Sequence, residues 1–273
     1  MRYIPLMLLS MASRVATLCP KRLLRAKTGA LRAAALHADD AAVIDDATSI
    51  YAIPERAVDE AAVQQLVERH VAQHATFLAK RPIAKHTAAA FQTASEFARS
   101  RNAPLIIDAG CGTGRSTLKL AERHPDHTII GVDRSEARLS RSNEVPANAL
   151  LLRAELGDFW RLLNESELTV EETFLLYPNP YPKTKMLKQR FQGHASLPSL
   201  LHACGRRLTI RASWRTYLEE FRLAASRAGE LGIRPDLVSK GPYELPEPEG
   251  LTLFERKYAA AGVPVYELVL TCT

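Results

Sequence analysis

Short apolar runs alternate with amphipathic stretches along most of the chain after residue 104. The apolar runs predict strands at Leu105–Ile107, Thr128–Val132, Ala149–Arg153, Thr173–Leu176 and Arg207–Arg211, with further strands near Leu237–Ser239 and within Val263–Thr271. The stretches between them have helical spacing and predict helices at Ser116–Glu122, Glu136–Ser142, Asp158–Leu163, Lys185–His202 and Trp214–Ala228. Because strands and helices alternate, the pattern predicts an α/β fold, a mostly parallel sheet with helices on both faces.

The regions outside this alternation have other patterns. Apolar residues recur at helical spacing from Glu55 to His74 and from Ile83 to Arg101, while the proline-rich stretch Gly241–Gly250 predicts an extended surface loop. We therefore divide the chain into a basic N-terminal extension or targeting segment (1–40), a linker with N-terminal helices (41–101) and one main domain (102–273).

The basic charge of the protein is concentrated at its N-terminus. The 273 residues carry a formal net charge of +6, yet residues 1–38 contain seven basic residues and no acid, so the remainder is close to neutral. A segment of this kind is typical of an organellar transit peptide, a basic arm or an upstream misassigned start codon. We expect a cytoplasmic protein, or an organellar one if residues 1–38 are a transit peptide.

Composition argues against several kinds of site. No apolar run approaches the roughly 20 residues that a membrane-spanning helix needs, so no membrane partner is expected. The four cysteines are far apart and form no CxxC pair, which argues against a zinc site or a disulfide framework and fits a reducing compartment. We interpret His70, His74 and His86 of the N-terminal helices as solvent-exposed residues of the helix surface, and we expect no bound metal.

A glycine turn follows the first predicted strand. Gly110, Gly112 and Gly114 remove every Cβ from one face of the turn, which lets a ligand approach the backbone closely. Asp108 precedes this turn, and Asp133 ends the second strand, where an acid can hold a ribose diol. A dinucleotide is disfavoured, because its fingerprint needs a glycine where the chain has Arg115.

The glycine turn after Ile-Ile-Asp-Ala resembles the first motif of class I S-adenosylmethionine (SAM) methyltransferases. The resemblance implies SAM as cofactor and a Rossmann-like fold with an antiparallel last strand. Gly110–Gly114 would admit the ribose and the amino-acid part of SAM, and Asp133 would accept from both ribose hydroxyls. Asp108 would orient the turn or take the ammonium group through water. Glu155, after the third strand, would accept from the adenine amine, or it is a solvated loop acid.

A second group of candidate functional residues, three prolines and then several basic residues, follows the fourth predicted strand. Pro178, Pro180 and Pro182 fix the backbone and remove N–H donors, so they predict a stiff loop that suits in-line methyl transfer. Basic residues follow closely at the predicted start of a helix and include Lys183, Lys185, Lys188 and Arg190. Lys188 and Arg190 could contact phosphates; the alternative is a solvated basic helix face.

Residues 173–190 resemble the proline–lysine motif of the tRNA (guanine-N7)-methyltransferases. The tail supports this, because Thr252-Leu-Phe-Glu-Arg256 and Gly262–Leu268 are similar to the ending of that family. The resemblance covers about residues 100–271 and implies tRNA as the substrate. Carried over position by position, it implies substrate-binding roles for Tyr181, Lys183, Lys188, Arg190, Tyr217, Thr252 and Glu255.

The chain departs from that family at the two positions to which the resemblance assigns catalytic roles. Asn179 replaces the acid between the prolines, and Ser213 replaces the acid after the fifth strand. A carboxylate can accept from the N1–H and N2–H edge of guanine together, whereas an amide or a hydroxyl offers fewer acceptors. We therefore expect altered guanine recognition. Methyl transfer itself is less affected, because N7 is an unprotonated lone pair.

Two other functions remain open at this point. Asn-Pro-Tyr at 179–181 is similar to the [DN]-P-P-[YF] motif of amino-group methyltransferases, although the second proline is missing. The protein would then methylate an amino group of a base, a protein or a small molecule. Alternatively, the loss of both acids indicates a non-catalytic relative that binds SAM or RNA.

Overall fold

The computed structural model describes residues 53–273 and contains seven strands in one sheet. The strands are β1 (Leu105–Ala109), β2 (Thr128–Asp133), β3 (Ala149–Arg153), β4 (Val170–Leu176), β5 (Arg207–Ala212), β6 (Leu237–Glu244) and β7 (Tyr266–Cys272). The helices are α1 (Glu60–Ala72), α2 (His74–Lys80), α3 (Lys85–Arg101), α4 (Arg115–Arg123), α5 (Glu136–Leu139), α6 (Leu156–Asn164), α7 (Leu197–Ala203), α8 (Arg215–Glu230) and α9 (Leu253–Ala260). The predicted extension at 1–40 and most of the predicted linker lie outside the described residues.

The strand order is β3-β2-β1-β4-β5-β7-β6. Strands β1 to β5 pair in parallel, and β7 pairs antiparallel with both β5 and β6. The predicted mostly parallel sheet with an antiparallel last strand is therefore confirmed. The chain first builds outward from β1 to β3 and then returns to β4 beside β1. In such sheets a crevice forms at the carboxyl ends of the strands where the order reverses, here between β1 and β4.

Alternating side chains of the central strands enter two different apolar layers. Ile106 of β1 packs in one cluster with Leu120 of α4, while Ile107 packs in the other cluster with Phe91 of α3 and Phe159 of α6. Because both faces are covered, all five residues of β1 and all six of β2 are buried. This rigid centre holds the ends of β1 and β2, which carry the glycine turn and Asp133.

The structure corrects the helix predicted over Lys185–His202. The segment instead forms 3-10 turns at Thr184–Gln189 and Phe191–Gly193, followed by α7. A Cβ at Gly193 would collide with the Leu187 carbonyl, so the glycine permits the close approach of these two backbone segments. Pro198 then lies in the first turn of α7, where its missing N–H costs no hydrogen bond.

Two other features of the C-terminal third differ from the sequence prediction. Strand β6 continues through Gly241 and Pro242 to Glu244, where we predicted an extended loop. Helix α9 was not predicted at all. It begins after Thr252, whose hydroxyl accepts from the Glu255 N–H at 3.1 Å as an N-cap. The Thr-x-x-Glu spacing of a capping box is present in the sequence and could have located this helix.

No helix within residues 53–273 is long and apolar enough to cross a membrane. The same part of the chain contains no group of three or more His, Cys, Asp or Glu side chains arranged to hold a metal ion.

Candidate active site

The glycine turn between β1 and α4 has an open face and a closed face. Gly110 and Gly114 adopt φ values of +81° and +80°, which side-chain-bearing residues rarely adopt. A Cβ on Gly110 would meet nothing within 4 Å, whereas one on Gly114 would lie 2.5 Å from Leu151 Cδ1. Gly112 also has open space around it. Gly114 therefore permits close packing against β3, while Gly110 leaves the backbone open.

Four of the five backbone N–H groups in the turn Gly110–Gly114 are already used within the protein. Gly110 and Cys111 donate to the Val132 carbonyl, and Gly114 donates to the Cys111 carbonyl at 2.9 Å. Gly112 N–H donates to Asp133 Oδ2 at 3.0 Å. A dinucleotide pyrophosphate needs free N–H donors at this position. The turn therefore fits a cofactor without phosphate, such as SAM, better than a dinucleotide.

Asp133 closes the turn from the end of β2. Its side chain is 2% exposed and accepts from the N–H of Gly112 and of Ser135, and it also forms an ion pair with Arg138. The carboxylate lies beside the open backbone of Gly110 in the same cleft. The contact of Asp133 with a ribose diol stays a prediction.

Asp108 lies behind the turn and not in the cleft. Its Oδ2 accepts from Ser116 Oγ at 2.6 Å and from Thr117 Oγ1 at 2.7 Å, both in the first turn of α4. Burial raises the pKa of this carboxyl to about 6, and the two hydroxyl donors only partly offset that effect. Of the two roles predicted for Asp108, the geometry favours orientation of the turn.

A cleft of about 340 Å³ opens beside the glycine turn, and we call it the cofactor cleft. Its lining includes Gly110, Asp133, Glu155, Leu176, Tyr181 and His194. Glu155 caps α6 by accepting from the Asp158 N–H and also pairs with Arg81 at 3.1 Å. Glu155 therefore lines the cleft, but its carboxylate already has two partners, and its contact with an adenine amine stays a prediction.

A second cleft of about 310 Å³ lies next to the first, and we call it the acceptor cleft. Apart from residues that follow β4, its lining comes from the end of β5, the start of α8 and helix α9. These residues are Ala212, Ser213, Trp214, Tyr217, Phe254 and Tyr258. The two clefts share four lining residues, the shared wall: Arg138, Tyr177, Pro178 and Asn179. A group bound in one cleft would therefore contact the same short segment as a group bound in the other.

The loop that forms most of the shared wall is held in an unusual conformation. Tyr177 and Tyr181 have φ values of +52° and +41°, which are costly for bulky residues. Asn179 Oδ1 accepts from the Tyr181 N–H at 3.2 Å, so the side chain fixes the turn that carries it. The predicted catalytic Asn179 thus faces both clefts, but its acceptor oxygen is already engaged.

Arg190 holds this loop from the protein interior. Its predicted role as a phosphate contact is therefore wrong. Its side chain is fully buried and donates to the Tyr181 carbonyl at 2.8 Å and to the Pro180 carbonyl at 3.0 Å. It also pairs with Glu220 and lies over the ring of Trp214 at 4.9 Å. A buried guanidinium in this position cannot reach RNA and instead positions the proline loop.

Glu255 is also structural and not a residue that grips the substrate. It is 0% exposed, pairs with Arg211 at 3.1 Å and accepts from the Leu251 N–H. Arg211 additionally pairs with Glu267 of β7 at 2.7 Å. Thr252, predicted as a second substrate contact, uses its hydroxyl to cap α9. The ion pair between Glu255 and Arg211 therefore holds α9 against the sheet. Helix α9 in turn supplies two aromatic residues to the acceptor cleft.

The remaining predicted substrate residues separate into three groups. Ser213 and Tyr217 line the acceptor cleft. Tyr181 lines the cofactor cleft instead. Lys183 and Lys188 are exposed on the loop after β4, and neither forms an ion pair within residues 53–273. The two lysines are therefore accessible to solvent, and their contact with a substrate stays a prediction.

Three residues of the site were not predicted from the sequence. Phe254 and Tyr258 form a stacked pair with ring centroids 6.2 Å apart, and both also lie against Tyr177. Phe254 is 48% exposed at the mouth of the acceptor cleft. Arg138 of the shared wall carried no recognisable signal. Phe254 and Tyr258 lie four residues apart on α9, a spacing that would have indicated one helix face had the helix been predicted.

Comparison with known proteins places this site in a family context. A family model described as "Putative methyltransferase" matches residues 102–268. The chain is 30% identical over 178 residues to the tRNA (guanine-N(7)-)-methyltransferase of Mycobacterium avium, covering 62% of this chain and 66% of that protein. It is 26% identical to the protein of the same name from Lysinibacillus sphaericus, over 61% of this chain and 79% of that protein.

The chain thus spans just under two thirds of the length of the Mycobacterium avium relative. Among solved structures, the 16S rRNA methyltransferase KamB is similar with a TM-score of 0.48 and 16% identity, covering 71% of this chain and 95% of that chain.

Proposed function

Because this chain belongs to the methyltransferase family whose model matches residues 102–268, we propose that it methylates N7 of a guanosine in tRNA, with SAM as the methyl donor. Two relatives that carry this activity in their names support the substrate class. The resemblance of residues 173–190 and of the tail to the motifs of the same family also supports it. In this proposal the protein acts in the cytoplasm, on tRNA.

The observation that carries the proposal is the shared wall. The cofactor cleft and the acceptor cleft meet at Tyr177, Pro178 and Asn179, so a donor and an acceptor would face each other across one rigid segment. When bound, SAM supplies an electrophilic methyl group, whose transfer to N7 leaves S-adenosylhomocysteine (SAH) and a positively charged base. Such a reaction depends mainly on holding the acceptor in line.

The lining of the acceptor cleft favours an acceptor atom that carries no proton. Among the described residues that line this cleft there is no carboxylate and no histidine. A general base is therefore absent from the lining itself. N7 of guanine requires none, because its lone pair is free at neutral pH. Burial, together with the nearby Glu255 carboxylate, raises the pKa of the Tyr177 phenol, so this hydroxyl remains protonated.

Base recognition in this cleft would combine stacking with a few polar contacts. Phe254 offers an exposed ring at the mouth, and Tyr258 lies beside it. Proteins that bind unpaired RNA bases commonly stack them on such rings. Ser213 offers one hydroxyl, and Asn179 retains its Nδ2 as a donor because its oxygen holds the Tyr181 N–H. The Asn179 donor suits an acceptor atom of guanine such as O6.

The RNA backbone would be held by exposed lysines. Lys183 and Lys188 follow the shared wall in sequence, and both residues are exposed. Only the backbone carbonyl of Lys183 takes part in the network around Arg190, accepting from its Nη2 at 3.4 Å. Removing one lysine–phosphate interaction should reduce the salt dependence of binding by about one unit in the slope of log K against log salt. Neutralising both lysines should therefore weaken tRNA binding and flatten its salt dependence. Salt-insensitive binding of the wild type would contradict this arrangement.

A methyl-transfer assay with nucleoside analysis tests the proposal. Purified protein is incubated with unmodified tRNA and SAM carrying a labelled methyl group, and the tRNA is digested to nucleosides. We expect the label in 7-methylguanosine. Asp133→Asn should reduce it strongly, whereas Asp126→Asn, an exposed acid before β2, serves as the matched control and should not.

Two results would contradict the proposal. Label in a nucleoside methylated on an exocyclic amine would favour the amino-group reaction. Intact binding of SAH with no label in any tRNA nucleoside would favour a binding-only relative or a different acceptor.

A further inference from the structure

Arg138 links the two clefts of the site. It lies on the short helix α5, directly after β2, and it lines both the cofactor cleft and the acceptor cleft. Its Nη2 lies 2.9 Å from Asp133 Oδ1, and the side chain is 45% exposed, whereas that of Asp133 is 2% exposed. A half-exposed cation is therefore paired with the buried acid that is best placed to hold the cofactor ribose.

The acceptor capacity of Asp133 is nearly exhausted in this arrangement. The carboxylate accepts from Gly112 N–H at 3.0 Å, from Ser135 N–H at 2.7 Å and from Arg138. A carboxylate has about four acceptor positions. A ribose diol that donates from both hydroxyls needs two of them, so one existing donor has to leave. The two backbone donors are fixed by the glycine turn and the start of α5, which leaves the Arg138 side chain as the one that moves.

We propose that cofactor binding displaces Arg138 from Asp133, and that the released guanidinium then binds a backbone phosphate of the RNA substrate at the shared wall. This inference rests on the proposed function, because it assigns the ligand of Arg138 to the RNA that enters the acceptor cleft. It makes Arg138 a binding residue whose availability depends on the cofactor.

The surroundings of Arg138 favour a phosphate over a new protein partner. No carboxylate lines the acceptor cleft among the described residues. Two other acids already have ion-pair partners: Glu155 of the cofactor cleft pairs with Arg81 at 3.1 Å, and Glu136, which also lies on α5, pairs with Arg153 at 3.0 Å. A guanidinium donates in a planar fork that matches the oxygens of a phosphate. The released side chain therefore has an unmet charge at the position where the RNA would lie.

The proposal requires positive coupling between the two ligands. If the cofactor uncovers a phosphate-binding cation, then it raises the affinity for RNA, and RNA raises the affinity for the cofactor by the same factor. We expect SAH to tighten tRNA binding about five-fold at moderate salt. We also expect the slope of log K against log salt to become steeper by about one unit when SAH is present.

The test compares Arg138→Met with Arg141→Met. Arg141 lies just beyond the same helix, is exposed, and its Nε donates to the Ala137 carbonyl at 3.1 Å, so it controls for the loss of one positive charge. SAH affinity is measured by calorimetry without RNA. Affinity for tRNA is measured with and without SAH at several salt concentrations. SAH is chosen because it lacks the sulfonium charge, so a change in its affinity does not reflect repulsion from Arg138.

We expect Arg138→Met to bind SAH about two- to five-fold more tightly than the wild type, because nothing competes for Asp133. The same variant should lose both the SAH-dependent gain in tRNA affinity and the change in salt slope. Arg141→Met should keep both effects, although its overall tRNA affinity falls.

Weaker SAH binding by Arg138→Met, or coupling that persists in this variant, would overturn the proposal. If the wild type binds no tRNA, the proposed function and this inference fail together. If the wild type binds and methylates tRNA without any coupling to SAH, only this inference fails. The two failures are therefore distinguishable.

Discussion

The cofactor cleft and the acceptor cleft are adjacent, but they are built by different means. The cofactor cleft is shaped by backbone conformation and by hydrogen bonds within one βαβ unit, such as that from Gly112 to Asp133. The acceptor cleft is held by buried charges from distant parts of the chain, with Arg190 paired to Glu220 and Arg211 paired to Glu255. The first kind of site follows from a local motif, whereas the second depends on tertiary pairing.

This difference has an energetic consequence. A turn with satisfied backbone groups tolerates most changes elsewhere, provided that its glycines remain. A buried ion pair is costly to desolvate, and removing one partner leaves the other uncompensated. The acceptor cleft should therefore be the more fragile of the two, and its residues should affect the stability of the fold as well as substrate binding.

Arg190→Met should have the largest effect on stability, because it removes the buried side chain that holds the loop lining the acceptor cleft. It removes the donors to the Tyr181 and Pro180 carbonyls and leaves Glu220 with only Arg56 as an ion-pair partner among the described residues, at 3.1 Å. We expect a loss of about 3 to 5 kcal/mol in the free energy of unfolding, measured in urea.

Lys188→Met, an exposed neighbour, is the control and should change that free energy by less than about 0.5 kcal/mol. A stability of Arg190→Met within about 1 kcal/mol of wild type would show that the buried network does not support the loop.

Asp108 should make the cofactor side sensitive to pH. Its pKa is raised to about 6 from the ordinary value of 3.8, so the folded protein binds a proton between these values that the unfolded chain has already released. Stability therefore falls as pH rises from about 4 to about 6, by about 2 to 3 kcal/mol, and this penalty is constant above that window.

Asp108→Asn should remove this dependence. The difference in unfolding free energy between the variant and the wild type should grow in favour of the variant from about pH 4 to about pH 6. Asp126→Asn, whose carboxylate is exposed, should give a flat difference. A flat difference for Asp108→Asn would mean that the buried carboxyl has an ordinary pKa.

Gly114→Ala tests the claim that the cofactor cleft depends on backbone geometry. An alanine here would have to adopt a φ of +80°, which is rare for residues with a side chain. Its Cβ would also lie 2.5 Å from Leu151 Cδ1. We expect a loss of about 2 kcal/mol in stability and a loss of SAH affinity of about tenfold. Gly232→Ala has a similar φ of +87° but open space around its Cβ, so it should lose stability without losing SAH affinity. Equal SAH affinities in the two variants would remove the special role of Gly114.

The double change Asn179→Asp with Ser213→Asp should have the smallest effect, and it should be a gain. An aspartate at 179 can hold the Tyr181 N–H with one oxygen and accept from the guanine edge with the other. We expect about a tenfold rise in the rate of guanosine methylation, a change of roughly 1.4 kcal/mol in barrier, measured in single-turnover assays. Ser213→Asn with Asn179 unchanged is the uncharged control, because it keeps the hydrogen bond from Tyr181 N–H to the Asn179 side chain. No rise would mean that the missing acids do not limit the reaction.

The cofactor half of the molecule was predictable because the residues that build it lie in short, consecutive sequence motifs. The run from Leu105 to Gly114 and the acid at Asp133 are consecutive elements of one βαβ unit, so their spacing fixes their relation in space. The mostly parallel sheet and the antiparallel β7 then followed from the alternation of elements together with the family resemblance.

The acceptor half was less predictable because its residues act through partners elsewhere in the chain. Arg190 resembled a phosphate contact in a run of basic residues, and only the fold brings Glu220 and Trp214 to it. Glu255 matched a substrate-gripping position, but its pairing with Arg211 of the sheet makes it structural. Phe254 was missed since the helix that carries it was not recognised from its cap.

The central claim is that a cofactor and a guanine base occupy two adjoining clefts that meet at Tyr177–Asn179. A crystal structure of the protein with SAH and 7-methylguanosine 5′-monophosphate tests it most directly. We predict SAH beside Gly110 and Asp133, and the base between Ser213 and Phe254 with its N7-methyl group directed at the SAH sulfur across the shared wall. A base bound outside the acceptor cleft, or one whose N7 faces away from the sulfur while SAH occupies its cleft, would contradict the account.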